Sequence, residues 1–121
     1  MLSLSNNTCT SNTRLFVCVD PTDMRKGFHG LSGLVAEHFS VDLLSGHLFL
    51  FFNRARDRIK VLYWDRDGLA MWYKRLEAGS YQLPQSSSTN NTIEIDHTQL
   101  SLLLSGIDLA SVKRRKRYRV A

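Results

Sequence analysis

Cysteine is scarce. Cys9 and Cys18 are the only two in 121 residues, too few for a disulfide framework, and a reduced, cytoplasmic chain is the expectation. Long apolar runs are missing as well. A helix needs about 20 apolar residues to cross a bilayer, so no membrane partner is expected. The opening "MLSLSNNTCTSNT" has neither a charged start nor an apolar centre and does not read as a signal peptide. Metal-ligand spacing is absent too. His29, His38, His47 and His97 are scattered, and no pair falls at the short separation of zinc ligands. No serine sits in a nucleophile elbow. These absences leave no histidine, cysteine or serine to assign as a catalytic residue or metal ligand, and no cofactor is expected.

What is present begins with 43% hydrophobic residues, enough for one domain with a modest core. The net charge of +5 is unevenly placed. The segment "KRRKRYR", 113 to 119, holds six basic residues and no acid; without it ten basic residues face eleven acidic ones. The basic isoelectric point therefore belongs to one short tail. The body is locally polarised: Arg54, Arg56, Arg58 and Lys60 lie within seven positions, opposed only by Asp57.

The pattern predicts an α+β fold: a small mixed or antiparallel sheet with a β-hairpin, one long helix after the first strand, a short C-terminal helix and a basic tail. "RLFVCV", 14 to 19, is β-branched and aromatic, hence a strand. From Thr22 to about Phe39, Met24, Phe28, Leu31, Val35 and Phe39 recur at helical spacing, with Thr22 or Asp20 as a candidate cap. Gly27, Gly30 and Gly33, at a step of three, suggest a helix pressed close against a sheet. Residues 47 to 53 are apolar on both faces, as in a central strand. "RIKVLYW", 58 to 64, alternates, and "DRDG" is a turn signal. Residues 69 to 75 then return as the hairpin partner. A helix competes there, since Leu69, Trp72, Tyr73 and Leu76 also fit its spacing, but an aromatic segment directly after a tight turn favours the strand. "TIEI" is a short strand. Asp96 and Gln99 are placed as a capping box for a helix over 96 to 106, with Leu100, Leu103, Leu104 and Ile107 on one face. The organisation is one domain over 14–110, a polar arm at 1–13, a linker within the domain at 84–91 and a basic tail at 111–121.

The opening candidate for chemistry is the carboxylate pair Asp65 and Asp67, which with Asp23 could hold a divalent metal in a nuclease. Aspartate in a tight turn is also ordinary turn chemistry, and no calcium-loop pattern surrounds it. A binding surface is the stronger reading. If "DRDG" is the turn, Trp64 faces Leu69, Leu62 faces Met71, Lys60 faces Tyr73 and Arg58 faces Arg75. Basic residues beside an aromatic on one sheet face suit phosphate contact with base stacking. The candidate nucleic-acid residues are Arg54, Arg56, Arg58, Lys60, Tyr73 and Arg75, joined by Lys113, Arg114, Arg115, Lys116, Arg117 and Arg119 of the tail. A second candidate surface, Trp64, Leu69 and Trp72, has the aromatic anchors of a protein interface.

The blocks "PTDMRKGFHGL", "SGHLFLFFNRARDRIKVLYWDRDGLAMWYKRLEAG" and "LLSGIDL" followed by "KRRKRY" closely resemble the TnpB, or Orf2-like, accessory proteins of the insertion sequence 66 family of bacterial transposable elements. The resemblance spans about residues 14 to 118. It implies an accessory role in DNA transposition beside a separate, larger transposase. The reading that follows from both is a non-catalytic protein whose expected partners are DNA, at the element ends, and that transposase. The resemblance implies no catalytic residues. Asp23, Met24, Arg25, Lys26, Asp57, Arg58, Lys60, Trp64, Asp65, Gly68, Tyr73, Lys74, Arg75 and Leu76 carry over as motif positions only.

Overall fold

The computed structural model describes residues 12–84 and 91–105. Residues 1–11 of the expected arm, 85–90 of the expected linker and the basic tail lie outside the described residues, as do Cys9 and Ile107. Five strands, β1 (Leu15–Cys18), β2 (Leu48–Phe52), β3 (Arg58–Asp65), β4 (Gly68–Arg75) and β5 (Thr92–Ile95), form one sheet in the order β4-β3-β2-β1-β5. Among the described residues two α-helices accompany it, α1 (Phe28–His38) and α2 (His97–Ser105), with one 3-10 turn at Leu43–Ser45. The β1–β2 pair is parallel and the others antiparallel, so the fold is α+β with a mixed sheet.

Every residue of β2 is buried, because the strand lies at the centre of the sheet with a core on each side. Alternation along the strands sorts the side chains. One face gathers Leu15, Val17, Leu48, Leu50, Phe52, Ile59, Val61 and Tyr63 against Leu100 and Leu103 of α2 and Tyr81. The other gathers Phe16, Cys18, Phe49, Phe51 and Leu62 beneath Leu31 and Val35 of α1, with Phe39 alongside. Cys18 is buried in this second core, and burial pushes its thiol pKa up. The capping box forms as the sequence predicts. Asp96 Oδ1 accepts from the Gln99 N–H at 2.7 Å, and Gln99 Oε1 accepts from the Asp96 N–H at 2.9 Å.

The helix after β1 corrects the expectation. It begins at Phe28, not at Thr22, and its N-cap is Gly27, with no side-chain cap bond. The segment before it is held in another geometry. Asp23 accepts from the Arg25 N–H, and the Lys26 N–H donates to Asp23 O, forming a tight turn. The carbonyls of Met24 and Lys26, which a continuous helix would offer to residues four further on, are taken instead by the Lys60 ammonium. The result is 11 residues of helix rather than a long one.

The glycines correct it again. A Cβ placed on Gly27 or Gly33 would find nothing within 4 Å, and on Gly30 it would meet only the side chain of Lys26. No glycine of the three lets this helix approach the sheet. Gly33 is exposed in mid-helix, so Gly33→Ala should stabilise the protein by up to ~1 kcal/mol, seen as a melting temperature raised by a few degrees. A lowered one would mean that this face of α1 is covered.

Candidate nucleic-acid interface

Residues 68 to 75 form a strand, and the competing helix does not. Asp65 pairs with Gly68 across a two-residue turn, Arg66–Asp67. Behind it the register is the one expected: Trp64 opposite Leu69, Leu62 opposite Met71, Lys60 opposite Tyr73 and Arg58 opposite Arg75. Turn length sets this alignment, and a slip of one residue would move every side chain to the other face. Arg58, Lys60, Tyr73 and Arg75 therefore share one sheet face, the side covered by α1 over Leu62, while Ile59 and Val61 lie in the opposite core.

The four do not play one role. Lys60 is only 7% exposed. Its ammonium donates to the carbonyls of Met24 at 2.6 Å and Lys26 at 2.8 Å, and lies 4.7 Å from the centre of the Tyr73 ring. It is engaged internally, so the expectation of Lys60 as a phosphate contact is replaced by a structural one: it pins the 23–27 turn to the hairpin. Tyr73 is 49% exposed and belongs to neither core. Arg75 is exposed and reaches Glu77 at 3.4 Å, a half-exposed pair of small energetic weight. Arg58, partly exposed, stands directly opposite Arg75.

The turn joining β2 to β3 extends this surface. Asn53 organises it, donating to Asp57 Oδ1 at 2.6 Å and accepting from the N–H groups of Asp57 and Arg58. Arg54 and Arg56 project from it, exposed. Arg56 has φ of 56°, a left-handed backbone that suits Gly or Asn better. Its carbonyl accepts from the Tyr81 N–H at 2.6 Å, and that of Asp57 from the Leu76 N–H at 2.7 Å. Among the described residues Arg54, Arg56 and Arg58 form no ion pair.

Composition does not mark Arg25 and Lys26 for binding, yet both are exposed, on the turn that Lys60 ties to the Tyr73 ring. Arg25 is paired with Asp23 at 2.7 Å. Hydrogen bonds from the guanidinium and from the Arg25 N–H hold the Asp23 carboxyl down to about 2. The only sequence signal for these two was their place in the "DMRKG" block.

The other candidates separate. Trp64 and Leu69 are cross-strand partners, but Trp72 packs on the opposite core beside Ala70 and Leu76, so the three do not make one contact surface. Asp65 and Asp67 are exposed at the hairpin tip. Asp65 is five residues along β3 from Lys60, roughly 16 Å, and Asp23 sits on the turn that Lys60 holds. The three carboxylates therefore do not converge, and the described residues contain no group of three metal-ligating side chains. His47 Nδ1 accepts from the Arg14 N–H, His38 Nδ1 lies 3.0 Å from Asn91 Nδ2, and His97 Nε2 lies 3.0 Å from the Thr13 carbonyl. An open cleft of about 580 Å³ is lined by Arg14, Phe16, His38, Phe39, Asn91 and Glu94 among others and touches none of the candidate residues. No helix among the described residues is long and apolar enough to cross a membrane.

The model of the IS66 Orf2-like protein family matches residues 13–114. The chain belongs to that family. Membership ties this Orf2-like chain to IS66 insertion sequences and to an accessory place in transposition. Two relatives come from Sinorhizobium fredii (strain NBRC 101917 / NGR234). The uncharacterized protein y4jC is 32% identical over 102 residues, covering 84% of this chain and 86% of its own. The uncharacterized protein y4hO is 39% identical over 97 residues, covering 80% and 83%. No solved structure matches this Orf2-like chain.

Proposed function

We propose that this Orf2-like protein is a non-catalytic accessory factor that binds DNA during transposition, through the end of the sheet that carries Arg54, Arg56, Arg58, Tyr73 and Arg75. The observation that carries the reading is the Arg58–Arg75 pair. Like charges placed directly opposite on a sheet repel and destabilise it; Glu77 reaches only Arg75, at 3.4 Å, and Arg58 forms no ion pair among the described residues, so a phosphate is an anion that would offset the repulsion. Arg56, exposed on the adjoining turn, adds a further cation to this end of the sheet. The tail residues Lys113 to Arg119 add sequence-independent phosphate contact, and the dispersal of Asp23, Asp65 and Asp67 favours binding over cleavage. The compartment is the cytoplasm, where the element's DNA lies.

The test is Arg58→Ala with Arg75→Ala, titrated against DNA at several salt concentrations. Losing two phosphate contacts should flatten the log–log salt dependence by about 2 while the melting temperature holds or rises, since a repulsion is removed. Unchanged affinity and slope would reduce the pair to a solvated face.

A second reading is an adaptor to the element's transposase. The cross-strand pair Trp64–Leu69, only part-buried, favours it, because half-covered aromatics are common anchors. Co-purification with the transposase that survives high salt and is lost in Trp64→Ala would shift the weight there.

A further inference from the structure

We infer that the preferred nucleic-acid partner of this surface is single-stranded DNA, with Tyr73 as the stacking platform for an unpaired base; the inference rests on the DNA-binding reading above and specifies its ligand. Three observations lead to it. Tyr73 stands on a sheet face, half exposed and outside both cores, although burying its ring would have contributed stability. One side of its ring rests on the Lys60 ammonium, 4.7 Å from the ring centre and itself anchored on two backbone carbonyls. That contact restrains the ring before binding, so less freedom is lost when a base stacks on it. The Arg58–Arg75 pair lies two residues away on the same face, roughly 7 Å along the strand, where the phosphates beside a stacked base can be met.

Exposed Lys26 lies on the turn that Lys60 holds, and Phe28, two residues further on, is 49% exposed. A duplex hides its base faces and is read by elements that enter a groove. A sheet face with an exposed aromatic beside arginines suits a strand whose bases are splayed out.

The experiment compares the full chain with Tyr73→Ala, Tyr73→Phe and Tyr73→Leu. Each is titrated against a single-stranded oligonucleotide and against the duplex of the same sequence, at one salt concentration. The wild type should bind the single strand more tightly than the duplex. Tyr73→Ala and Tyr73→Leu should each weaken single-strand binding about tenfold, the equivalent of one lost stack, and barely change duplex binding. Tyr73→Phe keeps the π-face and should match the wild type. The leucine variant retains apolar bulk over Lys60, so a loss confined to a misfolded alanine variant would not count as support. If single strand and duplex bind alike and Tyr73→Leu binds as the wild type does, the stacking inference is overturned and the DNA-binding reading stands. If neither form binds at low salt, both fall.

Discussion

Lys60→Met should lower the melting temperature by more than 10 °C. The ammonium it removes is 7% exposed and makes two charged hydrogen bonds. Bonds of that kind contribute about 1.5–3 kcal/mol each. Methionine fills most of the volume and avoids the cost of burying a charge, which returns part of the loss. The carbonyls of Met24 and Lys26 nevertheless lose their donor. A net cost of about 3 kcal/mol results, and each kcal/mol lowers the melting temperature of a domain this size by roughly 4–8 °C. Lys60→Arg should not rescue, because a planar fork cannot replace a compact ammonium between two carbonyls. Thermal melts with a DNA titration separate the roles. A variant that melts normally but binds DNA weakly would return Lys60 to the phosphate-contact role.

Phe49→Ala is the other large effect. Phe49 is fully buried on the central strand. Its ring stacks on Phe16 at 5.6 Å and meets the edge of Phe39 at 5.2 Å. Truncating such a residue costs about 3–5 kcal/mol through lost transfer energy and a cavity the neighbours cannot close. That is a large share of the 5–15 kcal/mol typical of a whole domain. Denaturant midpoints measure it. Phe49→Leu should cost less, since more of the apolar volume remains. An alanine cost below about 1 kcal/mol would mean that the aromatic cluster beneath α1 does not pack as described.

Elements set by local chemistry could be read from the residues. "DRDG" announced a two-residue turn, and turn length with strict alternation then determined every partner from Arg58–Arg75 to Trp64–Leu69. Asp96 and Gln99 announced their reciprocal caps because both halves lie three residues apart. What could not be read depended on distant partners. The start of α1 is decided by Lys60, 34 residues beyond the second carbonyl it captures, and helical spacing from Met24 onward is blind to that competition. The same contact removed Lys60 from the phosphate surface. Alternation correctly put Lys60 beside Tyr73 but could not tell a wet face from one capped by the 23–27 turn. Aromatic composition groups Trp72 with Trp64, whereas a strand places residues of even separation on one face only within a single strand. Across the hairpin, Trp64 meets Leu69, and Trp72 falls to the other core.

The position of β1 bears on how the chain is made. β1 is an interior strand, flanked by β2 and β5, yet it precedes both in the order of synthesis. Its outer neighbour is joined to it through residues as far apart as Arg14 and Glu94, separated by 80 positions. Until residues 92–95 leave the ribosome, β1 presents an unpaired apolar edge, the kind that recruits strands from other chains. Sheet closure is therefore a late, non-local step that no early hairpin can replace, and such pairings fold slowly. Fragments ending before β5 should accumulate in aggregates even though four of the five strands are complete.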